Sequence, residues 1–263
     1  MFRARTARDG PLVSIVLATR DRPRLLPIAL ACFERQTYPQ RELIVVDDGV
    51  QAPVEWAAIA AVGGRLLRAE PGGSLGAKLN QGLSAARGAL CAKWDDDDWY
   101  APRYLETLVT RWAASRRDVC RPAIALITPF LFFDLARWEI RLSDPRQVSG
   151  ATFLFGHDDW QELPFRGLSI DEDLWFLLDQ TRAGLSVLPV WEPELYLAVR
   201  HGGSGGQDRG HTWTRWSNGG ALEEWVREQP LYRRRPEALL PRWAVGRYRE
   251  LRQELLERSA LSV

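Results

Sequence analysis

The sequence predicts an α/β protein built on a Rossmann-like, doubly wound sheet, mixed but mainly parallel, with flanking helices and a helical C-terminal tail. Three observations lead there. Short, nearly continuous apolar runs, such as Leu12-Val13-Ser14-Ile15-Val16-Leu17-Ala18, lack the alternation of a half-exposed strand, so both of their faces should be covered. Stretches with apolar residues at helical spacing separate these runs, giving strand-helix-strand units. The runs end in polar clusters, and open α/β sheets bind ligands in the crevice outside the carboxyl ends of their strands.

The elements follow in order. After the first strand, Asp21 is placed to cap a helix with Pro23 in its first turn, and Leu25, Leu26, Ala29, Leu30 and Phe33 recur at helical spacing. Pro27 should kink that helix or delay its start. Glu42 to Val46 is a second buried strand ending in Asp47-Asp48-Gly49, a turn sequence. Arg65 to Ala69 suggests a third strand. Gly72-Gly73-Ser74 opens a helix through Leu75, Leu79, Leu83 and Ala86, and Ala89 to Trp94 is a fourth strand. Pro102 starts a helix over Arg103 to Arg116, and an apolar strand runs from Ala123 to about Leu135. Trp138 to Leu142, Ala151 to Phe155 and Leu185 to Val190 read as strands extending the same sheet. Asp171 to Arg182 reads as a helix stopped by Gly184, and Leu195 to Arg200 is strand-like. Residues 201–210 are too glycine-rich for regular structure, and a helical pattern resumes at Ala221. Residues 1–220 are expected to form one domain, in two halves at about 11–115 and at about 116–220. Residues 221–263 are expected to form a helical extension.

Composition limits the function classes. The 263 residues carry 35 Lys and Arg against 34 Asp and Glu, so no global field draws the chain to nucleic acid or an anionic membrane. Cys32, Cys91 and Cys120 lie far apart with no metal or redox spacing and read as reduced core residues. No apolar stretch reaches the roughly 18 residues needed to cross a bilayer. The apolar segment near the N-terminus is short for a signal peptide. The expectation is a soluble, cytoplasmic protein with no transmembrane segment, for which peripheral membrane contact remains open.

The local charge is another matter. Asp95-Asp96-Asp97-Asp98 places four carboxylates directly after an apolar strand, a costly arrangement without a compensating cation. In extended chain Asp95 and Asp97 project to one face, about 6.6 Å apart at Cα, and can converge on one hard cation. Magnesium and manganese take oxygen ligands, and magnesium completes its sphere with water and phosphate oxygens, which makes a diphosphate-bearing substrate a natural partner. Asp47 and Asp48 stand at the end of the second strand, where an acidic residue can accept from a ribose hydroxyl or a base N–H; turn chemistry is the competing explanation. Gly72-Gly73-Ser74 before a helix offers a weak phosphate cradle. Asp171-Glu172-Asp173, taken alone, reads as first-turn helix charge. Trp99, Tyr100, Trp160 and Trp175 are candidates for stacking on a ligand ring, with core packing the alternative.

Taken together, Ser14 to Arg22, Gln36-Thr37-Tyr38-Pro39, Glu42 to Gly49, Gly76-Ala77-Lys78-Leu79-Asn80-Gln81-Gly82 to Gly88, and Asp95 to Asp98 with Pro102 resemble the family 2 glycosyltransferases of the GT-A fold. The resemblance runs from about residue 11 to 115 and is specific as an ordered set. It implies a nucleoside-diphosphate sugar donor, a UDP-sugar by expectation, together with a divalent metal, Mn or Mg, and inversion at the anomeric carbon. The acceptor is a glycan, a lipid-linked molecule or a small molecule.

Carried over by position, the resemblance makes Asp48 the residue that contacts the nucleoside, with Asp47 its neighbour. Ala18, Thr19 and Arg20 match the loop that lines the base pocket, although Ala18 and Arg20 depart from the proline and aromatic common there. Lys78 falls where the family commonly has arginine near the donor. Asp95 and Asp97 match the Asp-x-Asp metal motif, Asp96 lies nearest the sugar, and His201 is a further metal or diphosphate contact, with His211 its competitor. Glu172-Asp173-Leu174 resembles the family's Glu-Asp pair and makes Asp173 the candidate base. Two rival readings stay open. A nucleotidyltransferase needs a glycine-rich loop after the first strand, and ATRDRPR contains no glycine. A catalytically silent nucleotide-sugar binding protein would keep the donor site and lack turnover.

Overall fold

A computed structural model describes residues 10–115, 122–201 and 226–260. β1 (Val13–Thr19), β2 (Arg41–Asp47) and β4 (Leu90–Asp95) are buried along almost their whole length. Val13, Ile15 and Leu17 enter one apolar cluster and Val16 and Ala18 the other, so β1 is covered on both faces. With β3 (Arg65–Arg68), β6 (Pro122–Ile127), β9 (Leu154–Gly156) and β10 (Ser186–Val190) these strands form a seven-stranded sheet in the order β10-β6-β9-β4-β1-β2-β3. All pairs are parallel except those of β9, which runs antiparallel to β4 and β6.

The helices are α1 (Leu26–Glu34), α2 (Trp56–Ala61), α3 (Leu75–Ser84), α4 (Tyr104–Ser115), α5 (His157–Glu162) and α6 (Glu172–Arg182), then α7 (Pro236–Leu239) and α8 (Arg242–Ala260). Asp21 does not cap α1. It adopts φ 51 and its Oδ1 accepts from the backbone N–H groups of Gln51 and Ala52, tying the loop after β1 to the loop after β2. Pro27 sits in the first turn of α1, so the start is delayed to Leu26. Ser74 caps α3, its hydroxyl accepting from Ala77 N at 3.2 Å.

The second half does not simply extend the sheet. The apolar run 123–135 divides at Pro129 into β6 and β7 (Leu131–Asp134), and β7 leaves for a second sheet. That sheet has the order β5-β11-β7-β8, with β5 (Trp99–Tyr100), β8 (Glu139–Leu142) and β11 (Tyr196–Arg200). The expected strand at Ala151 begins instead as a 3-10 turn, Gly150–Thr152, before β9. α8 packs Ala244, Val245 and Tyr248 into the larger apolar cluster, Tyr248 edge-on to Phe133. Cys32 and Cys91 are free and buried, and burial pushes both thiols above their ordinary range; Cys120 lies outside the described residues. Among the described residues no helix is long and apolar enough to cross a membrane.

Candidate active site

The order β4-β1-β2 sets three strand ends side by side. Ala18 pairs in register with Asp95 on one side and Val46 on the other, and Thr19 pairs with Asp47. Asp47 is consumed by the turn: Oδ1 accepts from Gly49 N, and Oδ2 accepts from Val54 N and pairs with Arg68. Turn chemistry explains it, against the expectation of a donor contact. Asp48 differs. Its Oδ1 meets Lys78 Nζ of α3 at 2.6 Å, and both side chains are buried. Its Oδ2 is buried with no hydrogen-bond donor, and Arg20 Nη1 stands 3.9 Å away. A buried carboxylate oxygen lacking a donor is costly, and a ligand N–H or O–H would satisfy it.

The four aspartates after β4 point in different directions. Asp95 faces Lys93, Nζ to Oδ1 at 3.0 Å. Asp96 departs from expectation, since it is buried, accepts from Thr19 Oγ1 at 2.5 Å and pairs with Arg22 Nη1 at 2.9 Å. Its carboxylate ties Thr19, at the end of β1, to Arg22 in the loop that follows. Asp97 lies 3.2 Å from Arg22 Nη1 and 3.3 Å from His201 Nε2. Asp98 accepts from Tyr196 OH and from Val199 N at 2.8 Å, which fastens β11 to the cluster. Burial, then Asp97 and Asp95, push Asp98 well above the usual carboxylate range. Asp95, Asp97 and Asp98 each offer an oxygen within 4.8 Å of the others, a hard-oxygen set that fits a divalent ion such as Mg or Mn. Asp98 was not among the residues expected at the metal, and both its oxygens are already engaged.

α6 supplies the third component. Asp173 Oδ2 accepts from Gly150 N at 2.9 Å and Oδ1 from Leu174 N at 2.8 Å. A Cβ on Gly150 would lie 2.3 Å from Asp173 Cβ, so only glycine lets the 3-10 turn approach this closely. Glu172 is buried, 3.5 Å from Lys93 Nζ. Burial drives its carboxyl up to about 7, Lys93 opposes this, and Asp173 and Asp95 add to it. Burial disfavours the charge on Lys93, but Asp95, Glu172 and Asp173 overcome this and hold the ammonium protonated. Arg22 and Gly150 were missed as site residues because they meet the aspartates only through the fold, and Lys93 because its contact with Glu172 is made only there.

Other expectations fare less well. The first-turn N–H groups of α3 are used: Leu75 N donates to Ser169 Oγ, Gly76 N to Leu168 O, Ala77 N to Ser74 Oγ and Lys78 N to Ser74 O. None of these four donors remains to cradle a phosphate. Trp99 and Tyr100 are core residues, Tyr100 stacked on Trp94 at 3.8 Å. Trp160 stacks on His157, and Arg166 lies over Trp175 at 3.9 Å. Residues 202–210 and His211 lie outside the described residues.

Beyond this geometry, the chain matches the model of the family Glycosyl transferase family 2 over residues 14–160, more than half its length. The chain belongs to this family. Its mixed sheet with flanking helices is of the GT-A type. It is 33% identical to EpsH of Bacillus subtilis (strain 168) over 115 residues, which cover 42% of this chain and 33% of EpsH. S. aureus TarS 1-349, solved with UDP-GlcNAc, superposes with a TM-score of 0.55 at 16% identity, covering 72% of this chain and 58% of that one. The mannosyltransferase PcManGT from Pyrobaculum calidifontis, solved with GDP-Man and Mn2+, gives a TM-score of 0.55 at 16% identity, covering 75% and 59%. These two likenesses concern the fold. The family 2 chain thus spans about a third of its curated relative and under two thirds of these solved chains.

Proposed function

We propose that the chain transfers a sugar from a nucleoside-diphosphate sugar to an acceptor hydroxyl, with inversion and with the help of a divalent metal ion. The observation that carries this is the convergence, at one end of the sheet, of a buried acceptor lacking a donor, Asp48 Oδ2, with the carboxylates of Asp95, Asp97 and Asp98. Donors solved with the structural neighbours, UDP-GlcNAc and GDP-Man, support the nucleotide-sugar reading.

In this mechanism Asp48 accepts from the nucleoside, Lys78 holds that carboxylate in place, and Ala18, Thr19 and Arg20 border the base. Asp95, Asp97 and His201 would hold Mn or Mg, which when bound neutralises charge developing on the departing diphosphate. Asp173 takes the proton from the acceptor hydroxyl as the new bond forms, and its two backbone N–H contacts fix the direction from which it does so. The Asp171–Asp173 run thus does more than charge a helix start. A glycan, a lipid-linked molecule or a small molecule can present that hydroxyl.

Calorimetry with UDP, GDP, UDP-GlcNAc and GDP-mannose tests the donor site, with Mn2+ present and then chelated, on the wild type and Asp97→Ala. One nucleotide should bind only with metal and not bind the variant; binding by no nucleotide would refute the reading. Asp173→Asn separates a transferase from a silent binder, because it should retain donor binding and lose turnover.

A further inference from the structure

Lys93 stands where packing alone predicts an apolar residue. On β4 it shares a face with Cys91, which packs into the cluster of Val16, Phe153 and Phe176, yet it buries an ammonium that is 4% exposed. Burying a charge costs several kcal/mol before pairing, so a strand that needed only packing would be better served by methionine or leucine. The ammonium is paired, however, and its two partners belong to different parts of the site. Nζ lies 3.0 Å from Asp95 Oδ1 at the metal-side end of β4 and 3.5 Å from Glu172 Oε1 in the first turn of α6. Asp173 follows Glu172 directly.

We propose that Lys93 is a positioning residue that ties Asp95 to the first turn of α6 and thereby sets Asp173 relative to the metal-side carboxylates. The inference rests on the proposed roles of Asp95 and Asp173. Without the ammonium, Asp95, Glu172 and Asp173 repel one another across the gap it fills, and the start of α6 is the part free to yield. Its first turn is capped by no side chain, and Asp171, the residue before it, has φ 59. Across the sheet, the Asp48 and Lys78 contact does not involve Lys93 and should persist.

The test uses Lys93→Met and Lys93→Met/Glu172→Gln at pH 8, without ligand and then with UDP-sugar and Mn2+. Hydrogen exchange of the Leu174, Trp175 and Phe176 amides should rise about tenfold in Lys93→Met while β1 and β2 keep their protection. Turnover should fall about 10²-fold, as expected for a misplaced base, with the KM for donor changed by less than about threefold. The double variant removes the stranded buried carboxylate, so its melting temperature should recover while exchange stays raised and turnover stays low. Wild-type exchange in Lys93→Met, or turnover returning with the melting temperature in the double variant, would overturn the proposal. Failure of the transferase reading looks different: wild type would bind no nucleotide, and the exchange result would still decide the tether.

Discussion

Gly150→Ala is a one-methyl test of where Asp173 must stand. Alanine fits the backbone there, because Gly150 is not among the positive-φ glycines. The added carbon would lie 2.3 Å from Asp173 Cβ, 2.5 Å from Oδ2 and 2.8 Å from Cγ. Ordinary carbon contacts are about 3.5–4.0 Å, so the two must separate by about 1 Å or more. The first of these contacts is to Cβ, so a rotation of the Asp173 side chain cannot relieve it and the start of α6 or the 3-10 turn has to shift. The hydrogen bond from Gly150 N to Oδ2, 2.9 Å long, stretches with it, at about 1 kcal/mol. A catalytic group misplaced by about 1 Å costs about 10²-fold in rate. Steady-state kinetics with a UDP-sugar should show kcat reduced about 10²-fold, the KM for donor within about threefold, and a melting temperature lowered by only a few degrees. Unchanged kcat in a folded Gly150→Ala protein would refute Asp173 as the base.

Three further predictions follow from the same geometry. Glu172 titrates at about 7 in the folded chain against an ordinary 4.5, so the native state keeps a proton that the unfolded chain has lost between those values. Its stabilisation is complete below pH 4.5 and lost as pH rises through about 7; Glu172→Gln should therefore be more stable than wild type at pH 8, by up to about 3 kcal/mol in urea unfolding, and equal to it at pH 4.5. Lys78→Met leaves the buried Asp48 carboxylate without its cation and should cost about 3–5 kcal/mol, most of it restored by adding Asp48→Asn, while neither variant binds nucleotide. Mn2+ with UDP, each in large excess over its dissociation constant, should raise the wild-type melting temperature by several degrees, and Asp97→Asn or a chelator should abolish the rise.

The first half of the fold was legible because β1, β2 and β4 are buried along almost their whole length and so spell themselves as apolar runs. The same property misled at residues 123–135. β6 and β7 are both buried, and nothing in their periodicity shows that the chain changes sheets between Ile127 and Leu131. Direction was equally hidden in β9, whose three residues are too few to distinguish a parallel from an antiparallel neighbour. Asp21 was misread because a carboxylate before a helical pattern looks like a cap whether it turns toward that helix or, as here, toward the loop at Gln51 and Ala52. Lys93 and Glu172 were invisible as partners, being brought together only when α6, packed on β6 and β10, sets its first turn near Lys93.

The four-aspartate run was legible as a site but not as four roles, and its geometry explains why the chain concentrates so much charge. Successive residues in a tight turn leave the backbone in different directions, so four adjacent carboxylates can serve four different neighbours. Asp96 reaches back to Thr19 at the end of β1 and Arg22 beyond it, and Asp98 reaches across to Tyr196 and Val199 in the second sheet. These two are buried and fasten the turn to both sheets. Asp95 and Asp97 remain partly exposed, facing Lys93 on one side and His201 on the other. Replacing Asp96 or Asp98 should therefore damage the site through the loops they hold, with a loss of stability, whereas replacing Asp97 should remove metal-dependent binding from a protein that melts as before. A difference of that kind cannot come from charge alone, since each change removes one carboxylate from the same run.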